Sequence, residues 1–275
     1  MPENLVAVAP QMRYDTFEVP RDRRVIMQLF VTNVAVTKAI PDDDYIASLP
    51  AVRNLRAMGG LSFRKPVTFF VGENGVGKST LIEAIAVHAG FNAEGGSINF
   101  NFSTHASHSD LYHYITLSRS TERNTDGFFL RAESFYNVAS NIDDLDRHGG
   151  GTRMLIESYG GKSLHEQSHG ESFLSLAEHR FGGYGLYILD EPEAALSPMK
   201  LMTLMCLIRN LVDNKSQFII STHSPILMTF PGAEIYELTE DAIRSVRYQD
   251  TEHFQVTKQF LNAPEQMIRY LEIGE

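Results

Sequence analysis

The chain holds a single cysteine, Cys206, in 275 residues. That excludes an internal disulfide framework and suits a reducing compartment. Cys206 falls within the helical apolar pattern Leu201, Leu204, Met205, Ile208 and Leu211, so a buried core thiol is expected rather than a nucleophile. Positive charge is also scarce. Twenty-four lysines and arginines face 34 acidic residues, for a formal charge of −10. A broad DNA-coating face needs the opposite balance, so DNA is left at most a local basic groove. No stretch approaches the ~20 apolar residues of a membrane span. Met1 to Asp15 lacks the basic segment and apolar run of a signal peptide. Repeats and low-complexity tracts are missing too. The expectation is a soluble, cytoplasmic protein with no membrane insertion, long enough for one large domain or two small ones.

Metal-site patterns are equally thin. Asp42-Asp43-Asp44 lacks the spacing and glycine of a calcium loop. His105, His108 and His113 sit among serines and threonines with no cysteine, match no zinc spacing, and read as surface histidines.

What the sequence does contain is organised around Val67-Thr68-Phe69-Phe70-Val71 followed by Gly72-Glu73-Asn74-Gly75-Val76-Gly77-Lys78-Ser79-Thr80. An apolar, β-branched and aromatic run stops at glycine, and a helical pattern resumes at Leu81, Ile82, Ile85 and Ala86. This is strand, glycine-rich loop and helix, and it satisfies G-x-x-x-x-G-K-[ST] without a mismatch. Glycines let backbone N–H groups approach phosphate oxygens, and the helix directs its positive end at the same anion. Lys78 can reach β- and γ-phosphates, and the Ser79 hydroxyl can ligate Mg²⁺. A nucleoside triphosphate is the expected ligand.

Down the chain, apolar strands alternate with helices. Val25 to Val36 has strand composition, Ala51 to Met58 reads as a short helix, and residues 91–127 read as polar loop. Phe128 to Glu133 is a buried strand ending in charge. Leu186 to Leu189 runs into Asp190-Glu191-Pro192. Ser197 caps a helix that Pro198 opens. Gln217 to Ile220 ends in Ser221-Thr222-His223-Ser224-Pro225, and closing strands follow at Glu234 to Leu238 and Ile243 to Tyr248. The fold expected is α/β: a mainly parallel sheet flanked by helices, with additional antiparallel strands and the ligand at the carboxyl ends.

Three further segments carry chemistry suited to phosphoryl transfer. Asp190 at a strand end is placed to hold Mg²⁺ directly or through water. Glu191 beside it is the natural general base for an attacking water. His223, at the next strand's end, can hydrogen-bond a γ-phosphate. Ser168-His169-Gly170-Glu171 precedes the apolar run Phe173, Leu174, Leu176 and Ala177, and can also be a capping box.

The order of Gly72–Ser79, Ser168–Glu171, Asp190–Glu191 and His223 resembles that of the ABC-type ATPase heads, shared by transporter subunits and the RecF-like and chromosome-maintenance ATPases. The likeness spans about residues 61–238, with 1–60 as lead-in and N-terminal strands and 239–275 as a C-terminal strand and helices of one ATPase domain. Ser168 to Glu171 looks like the family signature, with His169 in place of a glycine. Glu193 to Pro198 and Thr222 to Pro225 look like the forms of the RecF-like branch. The resemblance implies ATP and Mg²⁺ as ligands, and Lys78, Glu191 and His223 as catalytic residues. It also implies a head-to-tail homodimer in which Ser168, Gly170 and Glu171 of one copy close over ATP on the loop of the other.

The family's glutamine between loop and signature has no counterpart from Thr80 to Glu166, and Glu133 is the candidate to fill that place at the metal. Ser197 stands where the family has an aspartate. Tyr14, Phe17 and Phe63 are the candidates for stacking on adenine. The interval from Lys78 to Ser168 leaves no room for long coiled-coil arms, and about fifty residues follow His223. The leading expectation is an ATPase whose dimerisation controls an unidentified protein partner, in DNA repair or defence. The alternatives are a transporter's nucleotide-binding subunit and a nucleotide-sensing module with negligible turnover.

Overall fold

The computed structural model describes residues 29–97, 109–132 and 169–271. Within them a six-stranded sheet has the order β5-β6-β7-β3-β8-β9. The strands are β3 (Val67–Val71), β5 (Asp126–Arg131), β6 (Gly185–Asp190), β7 (Gln217–Ser221), β8 (Glu234–Leu238) and β9 (Ile243–Ser245). All neighbours are parallel except the β8–β9 pair. A smaller antiparallel sheet sets β1 (Val31–Val36) between β2 (Leu61–Ser62) and β4 (Ile115–Arg119). The architecture is the mainly parallel α/β sheet with additional antiparallel strands that the sequence suggests.

The central strands are continuous apolar runs because both faces of the sheet are covered. Period-two geometry then divides each run between two cores. Phe69 and Val71, Phe128 and Leu130, Tyr187 and Leu189, and Phe218 and Ile220 face one core. It is closed by α4 (His169–Arg180) and α5 (Pro198–Asp213). Phe70, Phe129, Ile188 and Ile219 face the other. There they meet α1 (Tyr45–Ser48), α2 (Pro50–Ala57), α3 (Lys78–Ala89) and the antiparallel sheet. Buried Gln217 staples the two sheets: its Oε1 accepts from the N–H groups of Phe30 and Val31, and its Nε2 donates to the Val31 carbonyl. The chain finishes in α6 (Glu252–Asn262) and α7 (Pro264–Tyr270).

Four expectations change. Residues 91–127 are not all loop, since a 3₁₀ turn at Asp110–His113 leads into β4. Strand β9 stops at Ser245 rather than Tyr248. Cys206 is exposed, because the buried stripe of α5 runs Leu201, Leu204, Ile208, Leu211 and position 206 lies about 200° round the helix from 204. Phe63 is 4% exposed and packs on Phe70, which makes it core rather than an adenine platform. Tyr14, Phe17, His105 and His108 lie outside the described residues.

Candidate functional site

Parallel register delivers the chemistry to one edge. Arg131, Asp190 and Ser221 are mutual partners at the carboxyl ends of β5, β6 and β7, and β3 turns into the glycine-rich loop beside them. Gly72 has φ 139°, and a Cβ there would sit 2.1 Å from the Leu238 carbonyl oxygen, so no other residue fits between the loop and β8. Gly75 and Gly77 also have positive φ, 84° and 97°. The Ala51 N–H at the start of α2 donates to the Val76 carbonyl at 2.8 Å and braces the loop from outside. Asn74, Gly75, Gly77, Lys78, Ser79 and Thr80 line a pocket of about 210 Å³, which Leu49 and Glu191 complete. Glu73, Gly72 and Val76 border a second cavity of about 700 Å³ on the α6 side.

Lys78 is 4% exposed, and its Nζ donates to the carbonyls of Gly72 and Glu73 at 2.8 Å each. Burial lowers its pKa, while Glu191, Asp190, Glu193 and Glu73 pull the other way. The ammonium thus stands in an acidic surround, able to leave two neutral carbonyls for a stronger anionic partner.

Asp190 is buried, at 5% exposure. Its Oδ1 accepts from Ser221 Oγ at 2.5 Å, and its Oδ2 lies 3.4 Å from Arg131 Nε. Burial raises its pKa, against the hydrogen bonds from Ser221 and Ser79 and the charge of Arg131. Arg131 also reaches back to Glu83 on α3, Nη1 to Oε2 at 2.5 Å, so one guanidinium ties two buried carboxylates together. Among the described residues no group of three His, Cys, Asp or Glu side chains could hold a metal unaided. One hydroxyl and one carboxylate in contact, Ser79 and Asp190, are the usual protein share of a phosphate-bound Mg²⁺, so the residues present fit that ion.

Glu191 takes a left-handed backbone conformation, φ 50° and ψ 54°, uncommon for a residue with a side chain. Its N–H is held by Ser221, at 3.2 Å to the carbonyl and 3.1 Å to Oγ. The kink lifts its carboxylate out of the strand direction into the smaller pocket. Glu191 Oε1 stands 3.3 Å from His223 Nε2. Burial, then Lys78 and His253, hold the pKa of His223 down at about 4. At neutral pH the contact therefore joins a neutral imidazole to a carboxylate and is not a salt bridge.

Glu193 secures the histidine from below, accepting a short hydrogen bond from the His223 N–H. Burial raises its pKa, opposed by the His223 and Thr222 hydrogen bonds. His253, from α6, lies 2.8 Å from His223 Nδ1 through its Nε2.

The structure thus gathers Gly72 to Thr80, Asp190, Glu191 and His223 at one edge. Gly170, in the first turn of α4, is elsewhere: a Cβ there would meet the Ala195 carbonyl at 2.8 Å and Lys200 Cδ at 3.0 Å. It seats against the turn Pro192–Ala195 that follows Glu191, with Glu171 exposed beside it. Ser168 and Glu133 lie outside the described residues. Sequence reasoning assigned no role to Arg131, Glu83, Glu193 or His253. Glu193, two positions after the acidic pair, carried the nearest thing to a signal.

Two family models adjoin along the chain. Residues 53–164 match one described as "AAA domain". Residues 165–229 match one described as "AAA domain, putative AbiEii toxin, Type IV TA system". No curated protein matches the chain. Among solved structures, a nucleotide-free ATP-binding cassette from an ABC transporter is 17% identical, over 90% of this chain and 99% of that one, with a TM-score of 0.46. The ADP conformation of MJ1267, an ATP-binding cassette of an ABC transporter, is 16% identical, with the same coverage and a TM-score of 0.44. The cbiO1 protein from Clostridium perfringens, part of the ABC transporter complex cbiONQ, is 15% identical over 89% of this chain and 100% of that one, with a TM-score of 0.43. The two AAA matches together take in the glycine-rich loop, the acidic pair and His223, and over those residues the chain is similar to AAA-type ATPase domains.

Proposed function

We propose that this protein hydrolyses ATP to ADP and phosphate with Mg²⁺, and that two copies close head to tail over the nucleotide to control a partner protein. The observation that carries the hydrolytic reading is the convergence of Lys78, Ser79 and Glu191 on one small pocket, with Asp190 hydrogen-bonded to Ser79 beside it. The loop N–H groups and the start of α3 bind the phosphate oxygens. Lys78 moves from the Gly72 and Glu73 carbonyls to the γ-phosphate. Ser79 and Asp190 would hold Mg²⁺, which would supply neutralisation of charge on the phosphate oxygens. Glu191 takes the proton of the attacking water. His223, beside Glu191, presents an N–H to the γ-phosphate.

The dimer reading rests on Gly170. Because it packs against the turn after Glu191, Gly170 and that turn of one copy move together, and can respond to nucleotide bound by the other. ATP then favours the dimer by mass action, because only the dimer supplies both halves of the site. The toxin–antitoxin wording of the family matched at 165–229 supports a setting in defence over one in transport.

The deciding experiment is Mg²⁺-dependent phosphate release against protein concentration. A cooperative rise is expected, and a Glu191→Gln variant that turns over normally would sink the assignment. That variant should accumulate as an ATP-bound dimer by light scattering, and adding Ser168→Arg should return it to monomer. Stimulation by DNA would place the activity in repair or defence. Co-purification with an integral membrane protein would instead point to transport.

A further inference from the structure

His223 carries one ring proton when neutral, and the geometry around it decides where that proton sits. On one side, Glu191 Oε1 lies 3.3 Å from Nε2. The contact does not have hydrogen-bond geometry, and Nε2 is buried with no hydrogen-bond partner; a carboxylate this near, which only accepts, still favours Nε2–H over a lone pair there. On the other side, His253 Nε2 lies 2.8 Å from Nδ1, and a contact that short holds one proton between the two rings. If Nε2 is the protonated nitrogen of His223, then Nδ1 accepts and His253 donates.

His253 is not there by accident of a loose surface. Thr251, 0% exposed, caps α6: its Oγ1 accepts from the Phe254 N–H at 3.4 Å and donates to the Tyr248 carbonyl at 2.7 Å. Phe254 packs edge-on against Tyr248, with ring centroids 5.2 Å apart. Tyr248 packs on the core of the main sheet, and the Glu252 N–H donates to Glu237 Oε1 on β8 at 3.4 Å, so the first turn of α6 is held to the sheet and His253 with it. Its position lies beyond the last residue of either family match.

We propose that His253 is a positioning residue that locks His223 in its Nε2–H tautomer and so keeps an unused N–H beside Glu191, available to the γ-phosphate. The inference rests on the hydrolytic reading for its consequence, but the tautomer itself does not. The burial that keeps His223 neutral at physiological pH makes the tautomer the variable that matters. The lock ties the orientation of a strand-end histidine to the seating of α6.

Two readouts test it separately. In the nitrogen-15 histidine NMR spectrum of the wild-type protein, His223 should show a protonated Nε2 and an accepting Nδ1. His253→Leu should lose the acceptor signature and give a tautomer mixture, while His253→Gln, whose amide N–H reaches the same place, should restore it. In steady-state hydrolysis, His253→Leu should lower kcat about tenfold, as loss of a histidine's outer partner commonly does, with KM within about twofold; His253→Gln should recover most of the loss. A wild-type His223 protonated on Nδ1, or an unchanged spectrum in His253→Leu, overturns the proposal. Wild-type protein that hydrolyses nothing overturns the functional reading instead, and the spectra still decide the lock.

Discussion

The site has two halves that neighbouring strands deliver side by side, and they differ in burial. One half is Asp190, Arg131 and Glu83, where the carboxylates are 5% and 6% exposed and a single guanidinium bridges them. The other is Glu191 and His223, whose side chains keep 36% and 24% of their exposure. Charge deep in the sheet edge is costly unless paired, so the first half is cross-linked and has little freedom. The second keeps an open face, which suits the entry of water and nucleotide in the proposed reaction. A closed, cross-linked half thus sits against an open one, and the two should fail differently when altered.

The largest effect belongs to the open half and should appear in rate alone. Glu191→Gln removes the proposed general base but keeps its shape, so phosphate release should fall by about 10²–10⁴-fold. Nucleotide binding, followed with a fluorescent analogue, should hold or tighten, and the melting temperature should barely move. A comparable loss of binding would mean that the acidic pair acts as one unit and the division is wrong.

The closed half should fail in stability. Arg131→Met leaves Glu83 and Asp190 buried without their shared cation, and uncompensated burial of this kind costs about 3–5 kcal/mol. Urea unfolding should register that as a lower midpoint at unchanged slope. Adding Glu83→Gln should recover part of it, because one of the two stranded charges is then gone. Full stability in Arg131→Met would show that the bridge is ornamental and that Asp190 is held by Ser221.

Between these lies Glu193, which belongs to the closed half by burial and serves the open half by contact. Glu193→Ala strands the His223 N–H, at about 1–3 kcal/mol for an unsatisfied buried donor. It also frees the loop that carries the ring. A loss in both stability and turnover is expected, each smaller than in the variants above.

How much of this the sequence discloses follows the same division. The central strands could be read because both faces are buried, which makes each an unbroken apolar run, as in Phe69-Phe70-Val71 and Leu186 to Leu189. Their ends could be read because phosphate chemistry calls for particular residues in particular order. Strand β4 escaped: only Ile115 and Leu117 of its five residues are buried, and they alternate within a polar stretch. Arg131 escaped because its meaning comes from register with Asp190, far away in sequence and undetectable by spacing. His253 escaped for the same reason, meeting His223 only after the chain has turned through β8 and β9. Phe63 was misread because one aromatic serves as well for a core as for a base.

The finest test uses protons, because the two halves respond to acid with opposite sign. His223 has its pKa lowered from 6.5 to about 4 in the folded state. The unfolded chain therefore binds the proton first, and stability from this group is lost as pH falls from 6.5 towards 4. Asp190 and Glu193 have raised pKa values. For them the folded state binds the proton first, so acidification from above their folded pKa towards the unfolded carboxylate range returns stability. In the wild type the two trends oppose each other. His223→Gln removes the destabilising share, so its melting temperature should rise relative to wild type as pH falls. Asp190→Asn removes part of the opposing share, so its acid loss should steepen. At about 2–4 °C per kcal/mol for a chain of this size, the divergence should be visible in parallel melts of the three proteins. A His223→Gln curve that stays parallel to wild type while Asp190→Asn diverges would mean that His223 titrates normally, and the contrast between a closed and an open half would then rest on the carboxylates alone.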